Sequence, residues 1–521
     1  MSWFLGFDSS TQSLTAIILD TDTGTVVREC SLNFGRDLPE YGSPQGVLDH
    51  ADPLVRHANP LMWVAALDKL LARLRADGVD LGRVRGISGS GQQHGTVYLA
   101  PAFADGPLPL DPARDLAAAL KPLLTRATAP VWMDSSTSAE CAEIAAAAGG
   151  AEAVRARSGS PPIERFSGPQ IRRFYQTEPA AYDRTGVIHL VSSFMASVLA
   201  GRSVGIDPGD GAGMNLLNLA TGAWDPLLLA ATAPGLAAKL PPAVPASARV
   251  GVVAPYFVAK YGFAAGTPVI AWSGDNPSSL VGVGAWQPGT AVISLGTSHT
   301  YFAAMPRPVV DPDGYGHVFG NPAGGFMSLI CFKNGALARE KVRDQFKLDW
   351  DDFERLLAVT PAGNHGNLML PYFVPEITPL VLRASPVLRG APDFVAGRDP
   401  AATVRALAEA QALRLRLHSC WMGVPPAVVR VTGGAAVSPG VRQILADVFN
   451  ARVERLEIGN SAALGGALRA ANGVAGIPWA DLSAAFCQPV AGDTAEPIPA
   501  NVAVYDQLLP EYAAFAQAGA A

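Results

Sequence analysis

The chain has 521 residues, of which 49% are hydrophobic and only 16% charged. That composition excludes an intrinsically disordered protein, and the length suggests two or three domains. A formal net charge of −6, with Lys and Arg scattered along the chain, argues against nucleic acid or an anionic membrane surface as the main partner.

The first apolar run, Trp3 to Asp8, breaks at the polar turn Ser9-Ser10-Thr11-Gln12-Ser13 and resumes from Leu14 to Asp20. Two strand-like runs around a short polar turn predict a β-hairpin. The acid at Asp8 comes too early, and without a basic stretch before it, for a secretory signal. Pro60 to Arg75 carries apolar residues at helical spacing behind a proline suited to a helix start. Ile87 to Gly95 (ISGSGQQHG) and Trp132-Met133-Asp134-Ser135-Ser136 then follow strand-like runs. They offer the amides, carboxylate, imidazole and aromatic wall that a hydroxyl-rich ligand needs, and they also read as two ordinary polar loops.

Gly201-Arg202-Ser203-Val204-Gly205 matches a GxSxG nucleophile elbow, but it follows a helical pattern instead of a strand, so that reading is rejected. An Ala- and Pro-rich stretch from Leu227 to Val250 suggests a boundary near residue 250. Beyond it, a strand-like run reaches Ala271 and ends in Trp272-Ser273-Gly274-Asp275-Asn276. An acid at a strand end can project as a general base, although an Asp-Asn pair also makes an ordinary turn. No charge follows until Arg307, yet Pro277, Pro288 and many Gly, Ser and Thr make this span a poor membrane helix. It contains a second strand–turn–strand pattern around Gly296-Thr297-Ser298. Such a polar turn can cradle phosphate oxygens, and one acid between two such turns makes phosphate handling the better reading.

Pro400 to Leu417 reads as another helix. Val429 to Thr432 is a strand ending in Gly433-Gly434 before Ser438 and a helix, an arrangement that lets backbone approach a flat ligand. Asn501 to Ala518 reads as a terminal helix. No Gly precedes a Lys, so there is no Walker A loop, and no dinucleotide GxGxxG is found. Five cysteines lie far apart without a CxxC pair, which fits a reducing cytoplasm and opposes a disulfide framework.

Taken together, these motifs resemble the FGGY family of carbohydrate kinases across essentially the whole chain. Gly6 to Ser13 resembles the family's first phosphate motif, Ser294 to Ser298 its second, and Val431 to Pro439 its adenosine motif. Ser273 to Asn276 resembles the catalytic motif. Ser88 to Gly95, Val131 to Thr137, Leu190 to Ser197, Gly211 to Leu217 and Cys331 to Arg343 are similar to the family's eukaryotic-type branch that acts on D-xylulose.

The resemblance implies an α/β fold of two ribonuclease H-like (actin-like ATPase) domains with a cleft between them. Residues 1–250 would form the sugar- and phosphate-binding domain and 251–521 the nucleotide-binding domain. The implied activity is ATP-dependent phosphorylation of D-xylulose at its C5 hydroxyl. Asp275 would be the catalytic base, with His94, Arg165, Asp275 and Asn276 holding the sugar. Ser9, Ser10, Thr11, Gln12, Gly296, Thr297, Ser298, Trp350, Gly433, Gly434 and Ser438 would hold ATP, and Asp8 the Mg²⁺ ion. Alternatives are a kinase for another ketose or polyol such as ribulose, or an actin-like or chaperone-type ATPase without a sugar. The partners expected are thus a small sugar and ATP, with no nucleic acid and no membrane, and a homodimer is one open option. Three departures stand out: Arg172 and Tyr175 replace the family's Lys and Trp, Ser438 replaces an Asn, and Trp132-Met133-Asp134 replaces Trp-Asn-Asp.

Overall fold

The computed structural model describes residues 2–520. They form two compact units. The first comprises residues 2–286, 318–327 and 459–487, and the second 287–317, 328–458 and 488–520. The boundary expected near residue 250 is therefore displaced. Residues beyond it complete the first unit's sheet, so cutting there would strip edge strands from a shared ladder.

In the first unit, strands β1 (Trp3–Ser9), β2 (Ser13–Asp20) and β3 (Thr25–Asn33) form an antiparallel meander. Strand β4 (Val84–Gly91) joins β1 in parallel, and β5 (Arg249–Val252) and β6 (Pro268–Ile270) continue the sheet in the order β5-β6-β4-β1-β2-β3. A two-residue strand, β7 (Ser273–Gly274), pairs with the end of β4 in parallel. β1 is buried along almost its whole length, as expected for a strand covered on both faces. Leu5, Phe7, Leu14, Ala16 and Ile18 share one core with Leu67, Leu70 and Leu71 of helix α1 (Pro60–Ala76). α1 starts where the sequence puts it, because the side chain of Asn59 accepts from Leu61 N–H and Pro60 occupies the first turn. The helix Ser461–Ala475 also packs against β1 and β4.

The second unit repeats the local plan. Strands β8 (Thr290–Leu295) and β9 (His299–Met305) form an antiparallel hairpin, and β10 (Val428–Thr432) lies parallel to β8. With β11 (Arg452–Arg455) and β12 (Thr494–Ala495) they give the neighbouring run β9-β8-β10-β11-β12. The helix expected from Pro400 runs to Ser419, with Asp399 as its N-cap, and the terminal helix spans Pro499–Ala520. The charge-free span after Asp275 becomes a short helix and this hairpin. Among the described residues, no helix is long and apolar enough to cross a membrane, and all five cysteines are free.

Candidate active site

Parallel pairing decides which residues of the first unit meet. β1, β4 and β7 run in the same direction, and their registers set Asp8 beside Ser90 and Ser90 beside Ser273. The carboxyl ends of three parallel strands therefore converge, which is where ligands bind in open α/β sheets. Asp8 leaves the end of β1, Gln93 and His94 follow β4, and Asp275 follows β7.

Asp275 is the first residue of helix α2 (Asp275–Gly282). Its Oδ1 accepts from the backbone N–H of Asn276 at 2.8 Å and from the Asn276 side-chain amide at 3.0 Å. The same amide donates to Gln93 Oε1 at 2.8 Å. Burial raises the Asp275 carboxyl to about 6, and the hydrogen bonds it accepts hold it from going further. Asp8 accepts from Ser90 Oγ at 2.7 Å and is raised to about 7, by burial and by the nearby Asp275 charge. Two carboxyl groups poised near neutrality at one strand edge suit proton transfer and binding of a cation.

His94 holds a left-handed backbone, with φ 74°, unusual for a residue with a side chain. Its Nδ1 lies 2.8 Å from the carbonyl oxygen of Gly213, so Nδ1 carries a proton and donates it there. The ring stacks on Phe166 with centroids 4.1 Å apart, and the Arg165 guanidinium lies 5.8 Å from the same Phe166 ring. The structure thus brings Asp8, His94, Arg165, Asp275 and Asn276 into one neighbourhood. The turn Ser9 to Gln12 caps β1, tightened by Ser10 N–H donating to Ser13 O at 2.9 Å. Thr11 Oγ1 accepts from the indole N–H of the half-exposed Trp132 at 2.8 Å.

The departures divide. Trp132 reaches the hairpin, whereas Asp134 is fully buried and accepts from Arg56 N–H and the Gln170 amide, both at 2.8 Å. Asp134 therefore ties a loop together. Arg172 pairs with Glu143 at 2.6 Å and donates to the carbonyl of Ala231, and Tyr175 packs edge-on to Tyr182. Both serve helix packing.

Close to Asp275 lies a buried acid that the sequence motifs do not single out. Asp210, fully buried, accepts from Ser192 Oγ, and its other oxygen has no partner. Burial, followed by the nearby Asp207 and Asp275 charges, pushes its carboxyl well above the ordinary aspartate value. Arg469, also buried, donates to the carbonyls of Ala271 and Gly89 and faces Asp207 at 3.5 Å. Two acids flanking Pro208-Gly209 are the visible signal, but only the fold reveals that they lie behind Asp275.

In the second unit, a cavity of ≈580 Å³ opens beside the β8–β9 turn. Gly296, Thr297, Trp350, Gly434 and Ser438 line it, together with Arg339 and Glu354. Gly433 sits at the end of β10 with φ 88°, and a Cβ there would strike the backbone of Leu295 at 2.9 Å. Only glycine fits that close approach. Ser298 is exposed at the turn. Ser438 caps helix α3 (Pro439–Phe449), its hydroxyl accepting from Val441 N–H at 3.0 Å. The cavity is thus walled by a Gly-rich turn, an exposed aromatic and a buried guanidinium, the equipment for a flat, anionic ligand.

Comparison with known proteins places these features. Residues 121–282 match the FGGY family of carbohydrate kinases, N-terminal domain, and residues 291–474 match its C-terminal domain. A xylulose kinase of Rattus norvegicus is 40% identical over 98% of this chain and 96% of its own length. Xylulose kinase 2 of Arabidopsis thaliana is 40% identical over 91% of this chain and 87% of its own. The fold is that of the crystal structure of xylulose kinase from Rhodospirillum rubrum, with a TM-score of 0.82, 23% identity and 98% of each chain covered. The actin-like, two-unit α/β reading holds, and the chain belongs to the FGGY family of carbohydrate kinases.

Proposed function

We propose that this chain is an ATP-dependent xylulokinase that phosphorylates D-xylulose at its C5 hydroxyl in a reducing, cytoplasmic setting. The names of its relatives in animals and plants support the substrate. The observation that carries the chemistry is a carboxyl raised to about 6, Asp275, at the strand edge that also holds His94, Asn276 and Asp8.

A sugar hydroxyl is far too weak an acid to ionise at neutral pH, so it attacks as a neutral group and sheds its proton as the new P–O bond forms. Asp275, ionised above about pH 6, takes that proton late in the step. Asn276 fixes the orientation of Asp275 through its backbone and side-chain N–H groups. His94, its ring oriented by the bond from Nδ1 to the Gly213 carbonyl, and Arg165 hold the sugar's hydroxyls. The turn Gly296 to Ser298 offers the nucleotide's phosphates backbone N–H groups and hydroxyls, while Trp350, Gly433, Gly434 and Ser438 hold its adenosine; in the first unit, the turn Ser9 to Gln12 offers the same groups to a phosphate. Asp8 fits a role in holding Mg²⁺, because a buried carboxylate repelled by Asp275 gains from a counter-charge. When bound, that ion would neutralise charge on the phosphates.

The test is ADP release in a coupled assay across pentuloses, hexuloses and polyols. D-xylulose should give the highest kcat/KM. Faster turnover of ribulose would overturn the substrate, and ADP release independent of sugar would favour a plain ATPase.

A further inference from the structure

We propose that Glu354 selects the purine base, accepting the 6-amino group of adenine and rejecting 6-oxopurines. The inference rests on reading the ≈580 Å³ cavity as the nucleotide site.

Glu354 lies on helix α4 (Trp350–Val359) and lines that cavity. Its carboxylate is clamped by two donors. Oε1 accepts from the backbone N–H of Gly440 at 2.5 Å, and Oε2 accepts from the Ser438 hydroxyl at 2.5 Å. A Cβ at position 440 would come within 2.8 Å of Oε1, so a larger residue there would displace that oxygen. The clamp sits at the start of α3, where partly positive N–H groups favour a carboxylate. Ser438 is spent by the same arrangement: it gives its one proton to Glu354 and accepts from Val441. It has no proton left for a base. In this corner the strong acceptor is the carboxylate, which has lone pairs to spare and no proton to give.

Trp350 stands four residues earlier on α4, so the indole and the carboxylate share one helix face. The indole is half-exposed, and the Arg343 guanidinium lies 4.8 Å from its ring centroid. A flat base lying against Trp350 brings an edge to Glu354. Adenine then offers the N–H of its 6-amino group. Hypoxanthine and guanine offer a carbonyl oxygen at that atom, and two acceptors facing each other without a proton cost roughly tenfold or more in affinity.

Nucleotide binding tests this apart from sugar turnover. Titration calorimetry on the full-length protein measures Kd for ADP, IDP and the diphosphate of unsubstituted purine riboside. The wild type should bind ADP most tightly, the unsubstituted purine less, and IDP at least about tenfold more weakly than ADP. In Glu354→Gln the carboxamide can present an N–H to the 6-oxo group, so the ADP-to-IDP ratio should fall towards one. Equal wild-type affinities for ADP and IDP would overturn the proposal even if the variant did not fold. An unchanged ratio in a folded Glu354→Gln would also overturn it. Failure to bind either nucleotide would refute the nucleotide reading itself, a result distinct from equal binding.

Discussion

Asp275 is the proposed base, and burial raises its carboxyl to about 6, above the ordinary aspartate range. Kinetic pH dependence follows directly. The kcat/KM for the sugar should fall below about pH 6 with a single-proton slope, as the base becomes protonated. Asp275→Asn, nearly isosteric, should lower kcat about a hundredfold or more while its circular dichroism stays that of the wild type. A variant with near wild-type turnover would remove Asp275 from the role of base. His94→Ala should raise the sugar KM more than the ATP KM, and equal losses in both would contradict its sugar-side assignment. Asp8 yields a stability prediction of definite sign. Its native pKa, about 7, lies above that of the unfolded chain, so its contribution is fully present below the ordinary carboxylate range and is lost as pH rises through about 7. Relative to wild type, the Tm of Asp8→Asn should therefore rise between about pH 5 and about pH 8, and a constant difference would contradict the raised pKa.

The turns were the legible elements. Apolar runs broken by Ser9 to Gln12 and by Gly296 to Ser298 could fold back only as hairpins, and both did so. Asp275 was legible as an acid behind a strand. Its partners were not, because Asp8, Gln93 and Asp275 meet through parallel pairing of segments far apart in sequence, and nothing local encodes that register. The Glu354–Ser438 clamp escaped for the same reason, since it joins helix α4 to the cap of helix α3, 84 residues further along the chain. Element packing gives its own prediction. Leu67 on α1 is fully buried in the core that includes Leu5, Phe7 and Ile18. Leu67→Ala should cost about 2–5 kcal/mol in chemical denaturation, as the cavity left there can collapse only in part.

At the scale of the molecule, the sequence suggested two halves, and the structure gives two units with interleaved segments. The helix Ser461–Ala475 returns to the first unit late in the chain, and its Arg469 holds the carbonyls of Gly89 and Ala271. Arg469→Ala should destabilise the protein by about 3–5 kcal/mol, because it strands the buried Asp207 without its counter-charge. A fragment ending near residue 250 lacks β6, α2 and this covering helix, so it should not fold cooperatively alone. Sugar phosphorylation with Asp275 as base is the central proposal. The direct measurement is NMR of the product formed from D-xylulose and ATP by the wild type and by Asp275→Asn. A single phosphomonoester coupled to the C5 protons, formed by the wild type and lost in the variant, is the result expected. Phosphate on another oxygen, release of inorganic phosphate alone, or an equally active variant would contradict it.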